Sequence, residues 1–123
     1  MKIERELLRG AGPIAVMSLL SRREMYGYEL VEALSQRTAG VLAMGQSTLY
    51  PLLYNLEAKE LIASEWREAK SGRERRYYKL TPKGRKRLAA DSQQWRALAG
   101  AMNALGLGPE PAAFGARLHG ALA

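Results

Sequence analysis

The order of hydrophobic patterns along this chain predicts a mainly α-helical fold with a small β-hairpin wing, a winged helix-turn-helix followed by a C-terminal dimerisation helix. Three observations carry that expectation. Three amphipathic helical patterns precede two short, aromatic-rich strand patterns joined by a basic turn. Thr81 and Pro82 then supply an N-cap and a proline at the first helical position, opening a fourth helix with heptad-like apolar spacing. The positive charge is concentrated: residues 70–87 hold nine basic residues and one acidic residue, a balance of +8, whereas the rest of the chain carries −1.

The first helix is read over residues 5–20, where Leu8, Ile14, Met17 and Leu20 suit a buried face, and Gly10, Gly12 and Pro13 offer a point at which it starts afresh. After a polar break at residues 21–24, MYGYELVEAL begins the second helix, with Leu30, Val31 and Leu34 in one stripe. A turn at residues 38–45 leads into the third helix. There Leu49, Leu52, Leu53 and Leu56 stand at i, i+3, i+4 and i+7 and define its buried face. Ser47, Tyr50, Pro51 and Tyr54 then point away from that face, with Thr48 and Asn55 on its flank. A proline is tolerated only near a helix start, which places the N-cap at Ser47 or a neighbour.

Residues 63–80 change period. ASEWRE and RRYYKL read as strands, and the intervening AKSGRE carries the turn chemistry of Ser71 and Gly72. Trp66 and Tyr78 are expected to pack between this hairpin and the core. The fourth helix runs towards Leu105 and stops at Gly106 and Pro109; along it Leu88, Trp95, Leu98, Met102 and Leu105 form a dimer seam, with Asp91 interrupting one seam position. The tail carries Phe114, Leu118 and Leu122 at the spacing of a short helix. The organisation is therefore a DNA-binding domain over residues 1–81, a dimerisation helix over residues 82–106 and a short tail over residues 107–123.

Composition narrows the function. A chain of 123 residues accommodates one core and an accessory helix, and 47% hydrophobic with 25% charged residues is the balance of a folded globular protein. There is no cysteine and a single histidine, His119 in the tail, so thiolate metal sites, disulfides and cysteine nucleophiles are excluded and no cofactor or metal is expected. No glycine-rich phosphate loop follows a strand, and the residues of an enzyme site are missing. The charged N-terminus and the lack of a long apolar run point to the cytoplasm rather than a membrane.

A localised basic patch implies a polyanionic partner, and the helix and hairpin order makes that partner a double-stranded DNA operator. A helix entering the major groove needs hydrogen-bonding side chains at its exposed N-terminal end, which Gln46, Ser47, Thr48, Tyr50 and Asn55 provide. Arg73, Arg75 and Arg76 supply guanidinium forks at the wing for phosphates or a narrow minor groove. A winged helix used for protein contacts alone is the rival, and it would carry a neutral or acidic wing.

Three blocks strengthen this reading: YGYEL at residues 26–30, STLYPLLYNLEAKELI at residues 47–62, and GRERRYYKLTPKGRKRL at residues 72–88. Together the chain resembles the PadR family of repressors. The resemblance implies a winged-helix homodimer joined through its C-terminal helix and repression relieved by a small effector. It implies recognition-helix roles for Thr48, Tyr50 and Pro51, a place near the phosphate backbone for Tyr26 and Gly27, and wing-strand roles for Arg76 and Tyr77. The chain departs from the family at Tyr54 and Asn55, where many members carry a basic pair. A short-tailed branch of the family has a tryptophan midway along the last helix, and some of its members bind flat aromatic ligands at the dimer centre. Trp95 stands at the matching place, which makes it dimer core, a stacking surface for a planar aromatic effector, or both; Asp91, one turn earlier, would favour a cationic ligand. The alternative within regulators is a DNA-binding protein without ligand sensing.

Overall fold

The computed structural model describes residues 1–109. It contains α1 (Arg5–Leu20), β1 (Met25–Tyr26), α2 (Gly27–Arg37), α3 (Gln46–Ala58), β2 (Ile62–Glu68), β3 (Glu74–Leu80) and α4 (Pro82–Ala104). The fold is mainly helical with a small three-stranded antiparallel sheet, in the order β1-β3-β2. The tail positions Phe114, Leu118, His119 and Leu122 lie outside the described residues.

The helical periodicities become one core. Val16, Met17, Leu30, Leu34, Leu49, Leu53 and Ile62 are fully buried, joining α1, α2, α3 and the sheet, and the described residues bury no polar or charged side chain. Leu52 is half-buried where α1 and α3 meet: a Cβ at Gly12 would lie 2.9 Å from its Cδ1, so the small residue permits the close approach. The turn between α2 and α3 is closed by Thr38, whose hydroxyl donates to the Leu34 carbonyl at 2.5 Å and accepts from the Leu42 amide at 3.0 Å.

Two proline-based expectations are corrected. α1 runs unbroken through Pro13, and α3 is capped by Gly45, not Ser47, so that Pro51 lies inside the helix. In each case the carbonyl that loses its amide partner, on Arg9 and Ser47, belongs to an exposed residue and water can satisfy it. A further difference is β1. Met25 and Tyr26 pair with Tyr78 and Tyr77, so α2 begins only at Gly27, and the Tyr26 amide donates to the Glu29 carboxylate at 3.1 Å.

In the hairpin, Ile62 faces Leu80, Ser64 faces Tyr78 and Trp66 faces Arg76. Strand alternation puts these six residues on one side. The end of that side near α4 closes over the core, where Ile62, Tyr78 and Leu80 are buried. Trp66 does not pack there: it is 62% exposed. Gly72 turns the wing with φ +86, a conformation open to glycine, and the Ala69 amide donates to the Arg73 carbonyl at 2.7 Å.

Thr81 starts α4 as a true N-cap, accepting from the Gly84 amide at 2.9 Å while its hydroxyl donates to the Glu60 carbonyl at 2.7 Å. Gly84 sits so close to the Leu61 carbonyl that a Cβ there would collide with it. Leu88 is half-buried and packs against the core as well. The first compact unit accordingly runs from Met1 to Asp91, and a second begins at Ser92.

Candidate nucleic-acid interface

One surface of the first unit collects most of the residues expected to contact DNA. The N-terminal half of α3 presents Gln46, Ser47, Thr48, Tyr50 and Pro51 to solvent, and Tyr54 and Asn55 continue the exposed side one turn on. These residues are exposed because Leu49, Leu53 and Leu56 take the opposite side into the core. The helix also offers free backbone amides at its start, a natural seat for a phosphate.

Tyr50 does not hang free. Its ring leans on the start of α2, where a Cβ at Gly27 would come within 2.5 Å of the phenol oxygen and 3.1 Å of the ring. Gly27 therefore lets the recognition-helix tyrosine lie beside α2, which joins two of the blocks identified in the sequence. The spacing gave no sign of this contact.

The three wing arginines go to different places, which corrects the expectation of a common basic tip. Arg73 is exposed at the end of the turn and has no carboxylate partner among the described residues. Arg75 lies with its guanidinium 4.4 Å from the centre of the Tyr26 ring, and Tyr26 meets Tyr77 edge to face at 5.4 Å. Arg67 covers Tyr77 at 4.9 Å and is gripped by Glu24 and by Glu65, the latter at 2.7 Å. The Arg67 hydrogen bond and charge hold the Glu65 carboxyl below its usual value.

Arg76 turns to the other side of the sheet. Its Nε donates to Ser64 Oγ at 2.8 Å and its Nη2 to Glu57 at 3.2 Å, while Ser64 donates to the same carboxylate at 2.6 Å. Glu57 belongs to α3, so this network ties the wing to that helix. Its members are 19 and 12 residues from Arg76 in sequence, and no local motif announces the pairing. Beside it, burial pushes the Tyr78 phenol up, an effect the Arg76 charge partly opposes.

Between wing and recognition helix lies an open groove of about 730 Å³, with Gly27, Gln46 and Tyr50 on one side and Trp66, Arg73 and Arg75 on the other. Its lining sets Arg73, Arg75 and Arg76 against one carboxylate, Glu74, beside aromatic rings and Gln46 from a helix N-terminus. It suits a sugar and phosphate backbone far better than an apolar metabolite. Sequence reasoning missed Trp66 and Glu57; the first was assigned to packing, and the second has no distinguishing neighbour in the chain.

The remaining site candidates lie on α4 or, for Leu105, in the turn that follows it. Trp95 is 48% exposed, and Leu98, Met102 and Leu105 are exposed with it, an apolar stripe within the second unit. Asp91 belongs to the first unit, where both carboxylate oxygens accept from Arg87 Nε at 3.1 Å. Among the described residues no cluster of His, Cys, Asp and Glu is placed to hold a metal ion, and no helix is long and apolar enough to cross a membrane.

Comparison with known proteins assigns this architecture. Residues 16–90 match the Transcriptional regulator PadR-like family. Transcriptional regulator Rv3488 of Mycobacterium tuberculosis is 37% identical over 95 residues, covering 77% of this chain and 85% of that protein. A PadR family transcriptional regulator from Eggerthella lenta superposes with a TM-score of 0.71 at 37% identity, covering 81% of this chain and 85% of its own. A Streptococcus transcriptional regulator gives a TM-score of 0.73 at 33% identity, with 84% and 99% covered.

Proposed function

We propose, from the premise that this chain belongs to the PadR-like family of transcriptional regulators, which are not enzymes, that it is a cytoplasmic repressor binding a pseudo-palindromic DNA operator as a homodimer. The observation that carries the DNA part is the shared surface of the α3 N-terminus and the wing, with Arg73 and Arg75 beside Gln46 and Tyr50. Gln46, Thr48, Tyr50 and Asn55 read base edges in the major groove, and the basic wing fixes register on the backbone. Two-fold symmetry then sets half-sites roughly 34 Å apart on one face of the duplex. Binding of the protein to its own promoter DNA, followed through a salt series, tests this. Log affinity should fall linearly with log salt concentration, and salt-indifferent binding would refute the electrostatic account.

The dimer and the effector rest on the second unit. Trp95, Leu98, Met102 and Leu105 make an apolar stripe that water disfavours and a second copy would cover. Within that stripe Ala99 and Ala101 are small, leaving room beside the indole for a planar aromatic molecule. Stacking on the indole selects a planar ligand, and Asp91, one turn earlier and paired with Arg87, favours a cationic one. A ligand that prefers the non-binding spacing of the two domains releases the operator. Titration with planar aromatic dyes should quench Trp95 and weaken operator binding, and Trp95→Ala should abolish both effects while the protein still binds DNA. A mutant that responds to the dyes like the wild type would refute the sensing role.

A further inference from the structure

Trp66 is the residue of the wing whose position the core does not explain. The neighbouring pairs on the same side, Ser64 with Tyr78 and Ile62 with Leu80, reach the core, where Tyr78, Ile62 and Leu80 are buried. Trp66 lies beyond them with 62% of its surface exposed. An indole left in water at this point forfeits most of the burial that normally justifies so large a side chain.

What lies next to it is ordered. The Arg76 guanidinium stands 5.9 Å from the centre of the indole, and Arg76 is itself held by Ser64 Oγ at 2.8 Å and by Glu57 at 3.2 Å. A cation already paired with a carboxylate is poorly placed to take a phosphate. Its effect is to set the indole relative to α3, because Glu57 is an α3 residue. The indole lines the same groove as Arg73, Gln46 and Tyr50.

We propose that Trp66 is a sequence-independent contact to the DNA backbone, with Arg76 and Glu57 as the positioning pair that presents it. The proposal rests on the DNA-binding reading above and names a residue that reading did not contain. A polyanion is the occupant that Arg73 and Arg75 attract, their two charges outweighing that of Glu74 in the same lining, and DNA brings deoxyribose faces for the ring together with phosphate oxygens for its Nε1–H, a group that only donates. A tryptophan on a strand loses little side-chain freedom on binding. The contact is uncharged and does not touch bases, so it adds affinity without adding sequence preference or salt dependence.

The test compares wild type, Trp66→Ala and Trp66→Phe on the operator and on a scrambled duplex. Trp66→Ala should weaken binding to both about equally, by roughly tenfold, the scale of one aromatic contact, and leave the salt slope unchanged. Melting curves check that the variants remain folded. The chain holds two tryptophans, so Trp66→Phe leaves Trp95 as the sole emitter. The DNA-dependent change in emission seen with wild type should disappear in this variant while binding is largely retained. Undiminished affinity of Trp66→Ala, a loss confined to the operator, or an emission change that persists in Trp66→Phe would each overturn the proposal. Failure of the wild type to bind any duplex at low salt would instead overturn the DNA-binding reading, and this one with it.

Discussion

Substituting Gly27 by alanine separates the fold from the recognition surface. The added Cβ would meet the Tyr50 phenol oxygen at 2.5 Å and two ring carbons at 3.1 Å. Those distances are too short to persist, and something must move. Tyr50 is 43% exposed, so its ring can swing outward, whereas the α2 backbone is anchored by the buried Leu30 and Leu34. Overpacking a closed core costs about 1–3 kcal/mol, but an exposed ring relieves most of it. Replacing glycine in a helix returns at most about 1 kcal/mol. The net change in stability should therefore lie within about 1 kcal/mol, a shift in Tm of no more than about 8 °C for a domain of this size. The effect on recognition is larger, since one well-made base contact is worth about 1–3 kcal/mol of discrimination, or about 5- to 150-fold. Anisotropy titrations of labelled operator and scrambled duplex at one salt concentration should show the operator losing affinity by a factor in that range and the scrambled duplex changing little. Adding Gly27→Ala to Tyr50→Ala should have no further effect on operator binding, because the clash has been removed. Equal losses on both duplexes, additive effects in the double mutant, or a Tm falling far beyond this window would refute the reasoning.

Arg73→Ala should lower the slope of log affinity against log salt by about 0.9, one phosphate contact, whereas Arg76→Ala should change the slope much less because Glu57 already balances it; equal slopes for the two variants would contradict the assignment. Leu98→Asp should convert a dimer into monomers in sedimentation analysis, since it puts a charge on the exposed stripe of α4 while leaving the first unit intact. Leu53→Ala, at a fully buried position, should cost about 2–5 kcal/mol in denaturant unfolding, while Tyr54→Ala, 74% exposed, should stay within about 0.5 kcal/mol. The Tyr78 phenol is raised above its ordinary 10.0 by burial, so the folded state favours its neutral form. That contribution is fully present below the ordinary value and is lost as pH rises through the folded one, and Tyr78→Phe should flatten the alkaline fall in stability.

Much of this protein was legible in its sequence because its signals are local. The leucines of α3 recur at helical spacing over two turns, and any helix built from them must bury that side. Thr81 with Pro82 cannot easily mean anything but a helix start, and Gly72 between two aromatic-rich runs marks the wing turn by its φ of +86. The concentration of charge in residues 70–87 needed only counting, and it pointed to a polyanion before any fold was known.

Other features existed only once distant segments met. β1 is two residues long and has no pattern of its own; it forms because the edge of β3 is there to pair with it. Prolines 13 and 51 are tolerated inside helices where each orphaned carbonyl belongs to an exposed residue, a matter of which side of the helix the core takes. Leu88, expected in the seam, also packs against the core, and Gly84 lets α4 lie against the Leu61 carbonyl. Alternation along β2 puts Trp66 on the same side as the buried Ile62, but does not state how far along that side the core reaches. Nor does a run of arginines state its partners: Arg75 stacks on Tyr26, Arg76 reaches Glu57, and Arg73 stays in water. Periodicity reports which way a side chain points, and only the packed chain determines what, if anything, stands in front of it.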